Sequence, residues 1–133
     1  MDSSGLTTLP SHHSVADTLD RLSAALRAKG VHEFARIDHA AGAAEVGQPL
    51  RPTTVVIFGN PAAGTPLMQA DQRIGLDLPL KVLVWQDEAG QVWLTYGDPM
   101  WLAARYSLDD KAAPAAQRLA AVLAGFAAAA TGP

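Results

Sequence analysis

The sequence predicts an α+β fold, a β-α-β-β-β-β-α two-layer sandwich whose mostly antiparallel sheet has its helices packed on one face. Three observations predict it. The strand-like segments form a group between two long helical segments, residues 14–29 and the stretch that begins at Pro114. Residues 53–58 form a continuous run of β-branched and aromatic side chains, which is typical of a central strand covered on both faces. The segments 80–87 and 91–96 are close enough in sequence to form a hairpin.

Length and composition exclude several classes of protein. A chain of 133 residues suits one domain, 1–133, with its motif-bearing part at about 31–106. Hydrophobic residues make up 49% and charged residues 17%, which excludes intrinsic disorder, and the absence of cysteine excludes disulfides and thiolate chemistry. A net charge of −3 without a basic run argues against a nucleic-acid partner. Because we find no signal-peptide pattern and no apolar run of about 20 residues, we expect a cytoplasmic protein without a membrane partner.

The first strand and the first helix occupy the N-terminal part of the chain. Residues 5–10 are predicted to form a short strand, and the helix 14–29 follows it. Ser14 is the expected N-cap, because Asp17 follows three residues later in a capping-box arrangement. Gly30 supplies the left-handed conformation that commonly ends a helix.

The middle of the chain is predicted to contain short helices between strands. Residues 31–37 have the pattern of a strand, and Asp38 ends it and can cap an alanine-rich helix over 39–46. After the central strand, Thr65 followed by Pro66 has the cap-then-proline order of a helix start. That order predicts one or two helical turns from this point.

The hairpin has a predicted register. Gly90 suits the left-handed residue of a three-residue loop with a bulge. In that register Trp85 faces Trp93 across the strands, and Leu83 faces Thr95 on the same side of the sheet. A loop one residue longer would break this pairing.

Two helices are predicted after the hairpin. Asp98 followed by Pro99 repeats the cap-then-proline order and predicts a short helix to about Tyr106. Pro114 begins the last helix, which has a stripe of large apolar side chains among its alanines. These two helices complete the predicted helical layer.

Four segments of the chain form one series of motifs. They are RIDHAAG at 36–42, FGNPAAGTPLM at 58–68, GLDLPLKV at 75–82 and GDP at 97–99. Together they resemble the bacterial and archaeal family catalogued as domain of unknown function number 302. The resemblance implies a sandwich similar to that of the TATA-binding-protein-like group, and a homodimer. It implies no particular activity, and fold alone does not supply one.

The tryptophan side of the hairpin is the candidate subunit contact. If the helices cover the opposite face of the sheet, Trp85, Trp93 and Leu83 form an exposed apolar area that a second subunit would cover. We therefore predict that these residues lie in a homodimer interface. A ligand site and an ordinary core are the alternatives.

The turn after the central strand is the candidate ligand site. Residues 59–65 follow a buried strand and lead to a helix N-terminus, but they lack the lysine and the glycine density of a phosphate loop. A tight turn is the main interpretation, and a small-molecule pocket at the same place is the alternative. The predicted ligand-binding residues are Asn60, Thr65, Leu67 and His39.

The candidate catalytic residues are His39, Asp38 and Asp98. A carboxylate beside an imidazole is the usual arrangement of a general base, yet Asp38 and Asp98 are more simply interpreted as helix N-caps. His12 and His13 are neighbours on an extended segment and point to opposite faces, so we expect no metal site and no cofactor. The leading hypothesis is a homodimeric, non-catalytic small-molecule-binding module. The alternatives are a small enzyme that uses His39 as its base, and a structural or adaptor dimer built on the tryptophan face.

Overall fold

The strands of the computed structural model, which describes residues 4–133, form one antiparallel sheet. They are β1 Leu6–Pro10, β2 His32–Asp38, β3 Thr53–Gly59, β4 Leu80–Gln86 and β5 Val92–Gly97. The helices are α1 Val15–Ala28, α2 His39–Glu45, α3 Pro61–Ala70, α4 Pro99–Arg105 and α5 Ala113–Thr131, and a 3-10 helix spans Gln72–Asp77. The strand order is β1-β5-β4-β3-β2. This arrangement confirms the predicted α+β fold; of the predicted domain 1–133, residues 1–3 lie outside the described residues.

The core lies between the sheet and the helices α1 and α5. The strand side chains on this face that are at most 1% exposed are Val56, Phe58, Val82, Val84 and Leu94. Helix α1 presents Leu22 and Leu26 to the core, and because they are four positions apart they lie on one face of the helix. The Phe58 ring meets the Phe126 ring of α5 edge-on, with 5.9 Å between ring centres.

Helices cover one face of β3, so the prediction that both faces are covered is wrong for this chain. Residues of β3 alternate, with Val56 and Phe58 buried and Val55 and Ile57 partly exposed. The reason is that α1, α3 and α4 all contact α5 and therefore form a single layer. On the other face, Val55, Ile57 and Leu83 remain partly exposed.

Helix α3 begins four residues earlier than Thr65. Asn60 is its N-cap, and the Asn60 side chain accepts a hydrogen bond from the Ala62 backbone N–H at 3.0 Å. Pro61 therefore occupies the first helical position, where its missing N–H costs nothing. Pro66 lies inside the helix. The sequence contains two cap-then-proline pairs here, and the first one begins the helix.

The 3-10 helix has no counterpart among the sequence predictions. Asp71 caps it by accepting a hydrogen bond from the Arg73 backbone N–H at 2.9 Å, and its carboxylate also pairs with the Arg73 guanidinium at 2.8 Å. A helix of this kind is short and has no apolar periodicity of its own, so a pattern of hydrophobic residues does not reveal it.

The hairpin has the predicted register. Trp85 pairs with Trp93 and Leu83 with Thr95, and the two indole rings are stacked with 6.2 Å between their centres. The Trp85 indole N–H donates to the Thr95 hydroxyl at 2.9 Å. Gly90 has a φ of 91°, which is the left-handed conformation that the turn requires.

Asp87 connects the turn of the hairpin to the stacked rings. The Trp93 indole N–H donates to Asp87 Oδ2 at 2.9 Å, and the Gln91 backbone N–H donates to Asp87 Oδ1 at 2.9 Å. The indole hydrogen bond, and the backbone hydrogen bonds after it, lower the pKa of Asp87 below its ordinary value of 3.8. The charged carboxylate is therefore the form that the folded hairpin favours.

We expect the stability contributed by Asp87 to disappear in acid. Because its pKa is lower in the folded chain, the contribution is present above the unfolded pKa and is lost as the pH falls through the folded pKa. Urea unfolding at about pH 7 and about pH 2.5 should show that Asp87→Asn destabilises the protein less at the lower pH. Glu88→Gln removes the same charge from the same loop and is the control. A loss of equal size at both pH values would contradict the expectation.

Candidate functional site

An apolar cavity of about 260 Å³ lies where β3 ends and α3 begins. We call it the β3–α3 cavity. Strands β3 and β4 supply Gly59 and Leu80, and α5 supplies Leu119. The residues of α3, its cap and the following loop that complete its wall are Asn60, Pro61, Ala63, Gly64, Thr65, Met68, Gly75, Leu78 and Pro79, and Phe34 of β2 completes its rim. The motif segments 58–68 and 75–82 thus supply most of one cavity wall.

Three glycines lie in the wall of the cavity. A methyl group at Gly59 would lie 3.3 Å from the Phe34 ring, and one at Gly75 would lie 3.3 Å from the Met68 sulfur. At Gly64 the added carbon would lie 3.6 Å from Leu78, an ordinary contact. A methyl group at Gly64 therefore fits without a backbone shift, and because Gly64 lines the cavity, this position is suitable for a test with a larger side chain.

Two polar side chains line the β3–α3 cavity, Asn60 and Thr65. The Asn60 side-chain oxygen is held by the Ala62 backbone N–H at the start of α3. Within residues 4–133, neither the Asn60 amide nitrogen nor the Thr65 hydroxyl has a hydrogen-bond partner in the protein. Both groups can therefore donate a hydrogen bond to a small molecule in the cavity.

The structure brings together only two of the four predicted ligand-binding residues. Asn60 and Thr65 line the cavity, whereas Leu67 is 2% exposed and belongs to the core. His39 begins α2 next to the end of β2 where Asp38 pairs with Thr54 of β3. That end is about 20 Å along the strand from Asn60, because a strand rises about 3.4 Å per residue. The expectation that His39 approaches Asn60 is therefore wrong.

The candidate catalytic carboxylates act as helix caps. Asp38 Oδ1 accepts a hydrogen bond from the Ala41 backbone N–H at 2.9 Å, and Asp98 Oδ1 accepts one from the Met100 backbone N–H at 2.7 Å. A carboxylate engaged in this way is directed at the helix rather than at a neighbouring imidazole. Asp98 follows β5, at the other end of the sheet from His39. The three candidates therefore do not form one site.

Asp77, Arg105 and Tyr106 form a polar cluster next to the 3-10 helix, which lines the cavity through Gly75. The sequence analysis does not predict this cluster. The Tyr106 hydroxyl donates a hydrogen bond to the Asp77 carboxylate, and Arg105 lies 3.7 Å from the same carboxylate. The hydrogen bond to Asp77, and burial after it, raise the pKa of Tyr106 above its ordinary value. This cluster joins α4 to the 3-10 helix. Its members are 29 positions apart, so no local pattern in the sequence indicates it.

Two further observations concern metal binding and membrane insertion. Across residues 4–133, no group of three histidine, aspartate or glutamate side chains is placed to hold a metal ion. In the same part of the chain, one helix, α5, is long and apolar enough by length and composition to cross a membrane. It is packed against α1 and α4 and contributes eight buried residues to the interior, so this is weak evidence for a span.

One helical layer on a five-stranded antiparallel sheet, with an apolar cavity at the end of β3, defines a two-layer α+β sandwich. The chain belongs to the family described as "Domain of unknown function DUF302", whose model matches residues 7–126. A similar fold is found in the crystal structure of an uncharacterized conserved DUF302 protein from Bacillus stearothermophilus. Its TM-score is 0.85 at 19% identity, over 95% of this chain and 98% of that one.

The chain is also similar to part of longer proteins. It is 54% identical over 105 residues to proteins named "Fluoride-specific ion channel FluC 1" from Brucella suis and from Brucella abortus. The match covers 79% of this chain, but only 41% and 39% of those proteins. The chain therefore spans about two-fifths of the length of these curated relatives.

Proposed function

We propose that this chain is a homodimeric, non-catalytic small-molecule-binding module. The observation that carries the proposal is the β3–α3 cavity, because the segments 58–68 and 75–82 that characterise the chain both line it. An apolar lining with a few placed polar groups is typical of ligand sites. With Asn60 and Thr65 as its polar side chains, the cavity suits a compact apolar molecule that carries one hydrogen-bond acceptor.

The open face of the sheet supports the proposed dimer. Val55, Ile57 and Leu83 lie on this face beside the stacked tryptophans, and the edge strands add Leu6 at 48% exposure and Ile37 at 44%. The apolar side chains on this face, with Thr8, Thr95 and Lys81 among them, form an exposed area that is unfavourable in water. A second copy of the chain can cover it with an identical surface about a two-fold axis.

Filling the β3–α3 cavity should abolish ligand binding. Acetophenone, p-cresol and cyclohexanone are suitable probes, since each is compact and apolar with one oxygen that can accept a hydrogen bond. A probe at about 100 times its dissociation constant should stabilise the wild type by about 2.7 kcal/mol, seen as a higher melting temperature. In Gly64→Leu the new side chain occupies the cavity, and this increase should be lost.

Gly42→Leu is the matched control for this experiment. Gly42 is also a helical glycine, in α2, and a carbon added there meets nothing within 4 Å. This variant should respond to the probes as the wild type does. If none of the probes stabilises the wild type, or if Gly64→Leu responds unchanged, the cavity is not the binding site.

A second candidate function follows from the curated relatives. An identity of 54% over 105 residues to part of proteins named as fluoride-specific ion channels favours a domain that accompanies such a channel. The test is fluoride efflux from vesicles that contain the Brucella suis protein with and without the segment that matches this chain. A change in efflux on removal of the segment would favour this role, and unchanged efflux would argue against it.

A further inference from the structure

A second and larger apolar groove lies between α1 and α5, with a volume of about 750 Å³. We call it the α1–α5 groove. The start of α3 closes one end, and Asn60, Ala63 and Leu119 line both this groove and the β3–α3 cavity. Val122, which is 46% exposed, and the buried Phe126 line its length. The proposed function does not use this groove.

The two basic residues of the groove lie at the same end. Helices α1 and α5 contact each other and are antiparallel, because the His12 backbone N–H, just before α1, donates to the Thr131 carbonyl at the end of α5 at 3.0 Å. Further along α1, Arg21 donates to the Ala129 carbonyl. Lys29 follows Arg21 by eight residues, or about 12 Å along the helix, towards the beginning of α5. Arg118 lies near that beginning and also lines the groove. One end is therefore basic and the rest is apolar.

Both cations are available to a ligand. The ion pairs among residues 4–133 use Arg36, Arg73 and Arg105, and neither Lys29 nor Arg118 has an acidic partner there. Both side chains are exposed at the rim of the groove. An anion at this end of the groove can form charge-assisted hydrogen bonds with these cations without displacing a carboxylate of the protein.

The apolar part of the groove has the dimensions of a chain-like molecule. From Arg118 to Ala129 the helix α5 advances about 16 Å. The volume falls within the range of about 300–1,000 Å³ that is usual for small-molecule sites. At Gly125 an added carbon would meet nothing within 4 Å, so the space beside the helix is open.

We propose that the α1–α5 groove binds an amphipathic carboxylate, with the carboxylate between Lys29 and Arg118 and an acyl chain along Val122 and Phe126. The charge at one end and the apolar surface beyond it match the two parts of such a molecule. The proposed ligand is one molecule free in solution, and neither a membrane lipid nor a second copy of the chain. This site is separate from the β3–α3 cavity, and the two can be tested independently.

Titration calorimetry with sodium decanoate, below its micellar concentration, tests the proposal. We expect one decanoate per chain, weaker binding of 1-decanol, and no binding of decyltrimethylammonium. Lys29→Gln and Arg118→Gln should each weaken decanoate binding by about tenfold, because each removes a charge-assisted hydrogen bond. Gly125→Leu should block the groove, whereas Gly42→Leu, with the same change on α2, should bind decanoate as the wild type does.

Further outcomes separate the proposal from its alternatives. Gly64→Leu should bind decanoate normally, so a failure of the β3–α3 cavity leaves this proposal intact. Equal binding of decanoate and decyltrimethylammonium, or undiminished binding by the double variant Lys29→Gln/Arg118→Gln, would overturn it.

Binding to phosphatidylcholine vesicles without binding of decanoate would assign the groove to a membrane. Loss of the dimer in Gly125→Leu would assign it to a second copy of the chain. Either result would also overturn the proposal.

Discussion

Phe58→Ala is expected to lower the free energy of unfolding by about 3–5 kcal/mol, the usual range for removal of a buried phenylalanine. Phe58 is 1% exposed near the end of β3, and its ring packs edge-on against Phe126 of α5. Its removal leaves a cavity between the sheet and the helical layer, and the edge-to-face contact is lost as well. Urea unfolding followed by circular dichroism measures the loss.

Phe34→Ala is the matched control for this prediction. Phe34 lies on the edge strand β2 and is 49% exposed, so the same chemical change removes much less buried surface. We expect a loss of at most about 1.5 kcal/mol. Equal losses at the two positions would mean that the contact between Phe58 and Phe126 does not hold the helical layer on the sheet.

Leu83→Glu is expected to weaken the proposed dimer by at least about 100-fold, because it places an unpaired charge within an apolar interface. Leu83 lies at the centre of the open sheet face, between Val55 and Thr95 on the neighbouring strands. Its side chain points away from the helical layer, so the folded monomer should tolerate the change. Sedimentation equilibrium over a range of concentrations measures the dissociation constant.

Val122→Glu is the control for the dimer experiment. It adds the same charge to α5, which belongs to the helical layer on the other side of the sheet. This variant should dimerise as the wild type does. A wild-type chain that is monomeric at high concentration, or a Leu83→Glu variant that remains dimeric, would contradict the proposed interface.

The two proposed ligand sites lie on either side of Asn60. This residue caps α3 through its side-chain oxygen, and it lines both the β3–α3 cavity and the α1–α5 groove. A molecule in either site therefore contacts the start of the same helix. The proposed subunit contact lies on the opposite face of the sheet, so both ligand sites remain open in the proposed dimer.

Local rules explain which predictions the structure confirms. The caps at Ser14, Asp38 and Asp98 depend on a side chain and a backbone N–H two or three residues away. The pairing of Trp85 with Trp93 depends on the length of one turn. In each case the interacting groups are close in sequence, so no knowledge of the rest of the fold is needed.

Only part of the candidate site could be predicted, because these local rules apply only to residues that are close in sequence. Asn60 and Thr65 follow the central strand directly, and their position at its end was evident from the sequence. The opposing wall comes from Gly75 and Leu78, in a segment without apolar periodicity. Tyr106, whose hydroxyl donates a hydrogen bond to Asp77 in the same segment, lies still further along the chain. None of these contacts has a signal within one window of sequence.

The sequence by itself determined the strands, the α-helices, their order and the register of the hairpin, because short-range sterics, capping and turn geometry decide them. Only the tertiary structure decided which residues share a site. The pairing of β2 with β3, in which His32 lies opposite Gly59, places His39 at the far end of the sheet from Asn60. Strand register is a long-range property that depends on the packing of the whole sheet on its helices. The arrangement of the strands therefore separated His39 from the cavity and brought the loop before β4 to it.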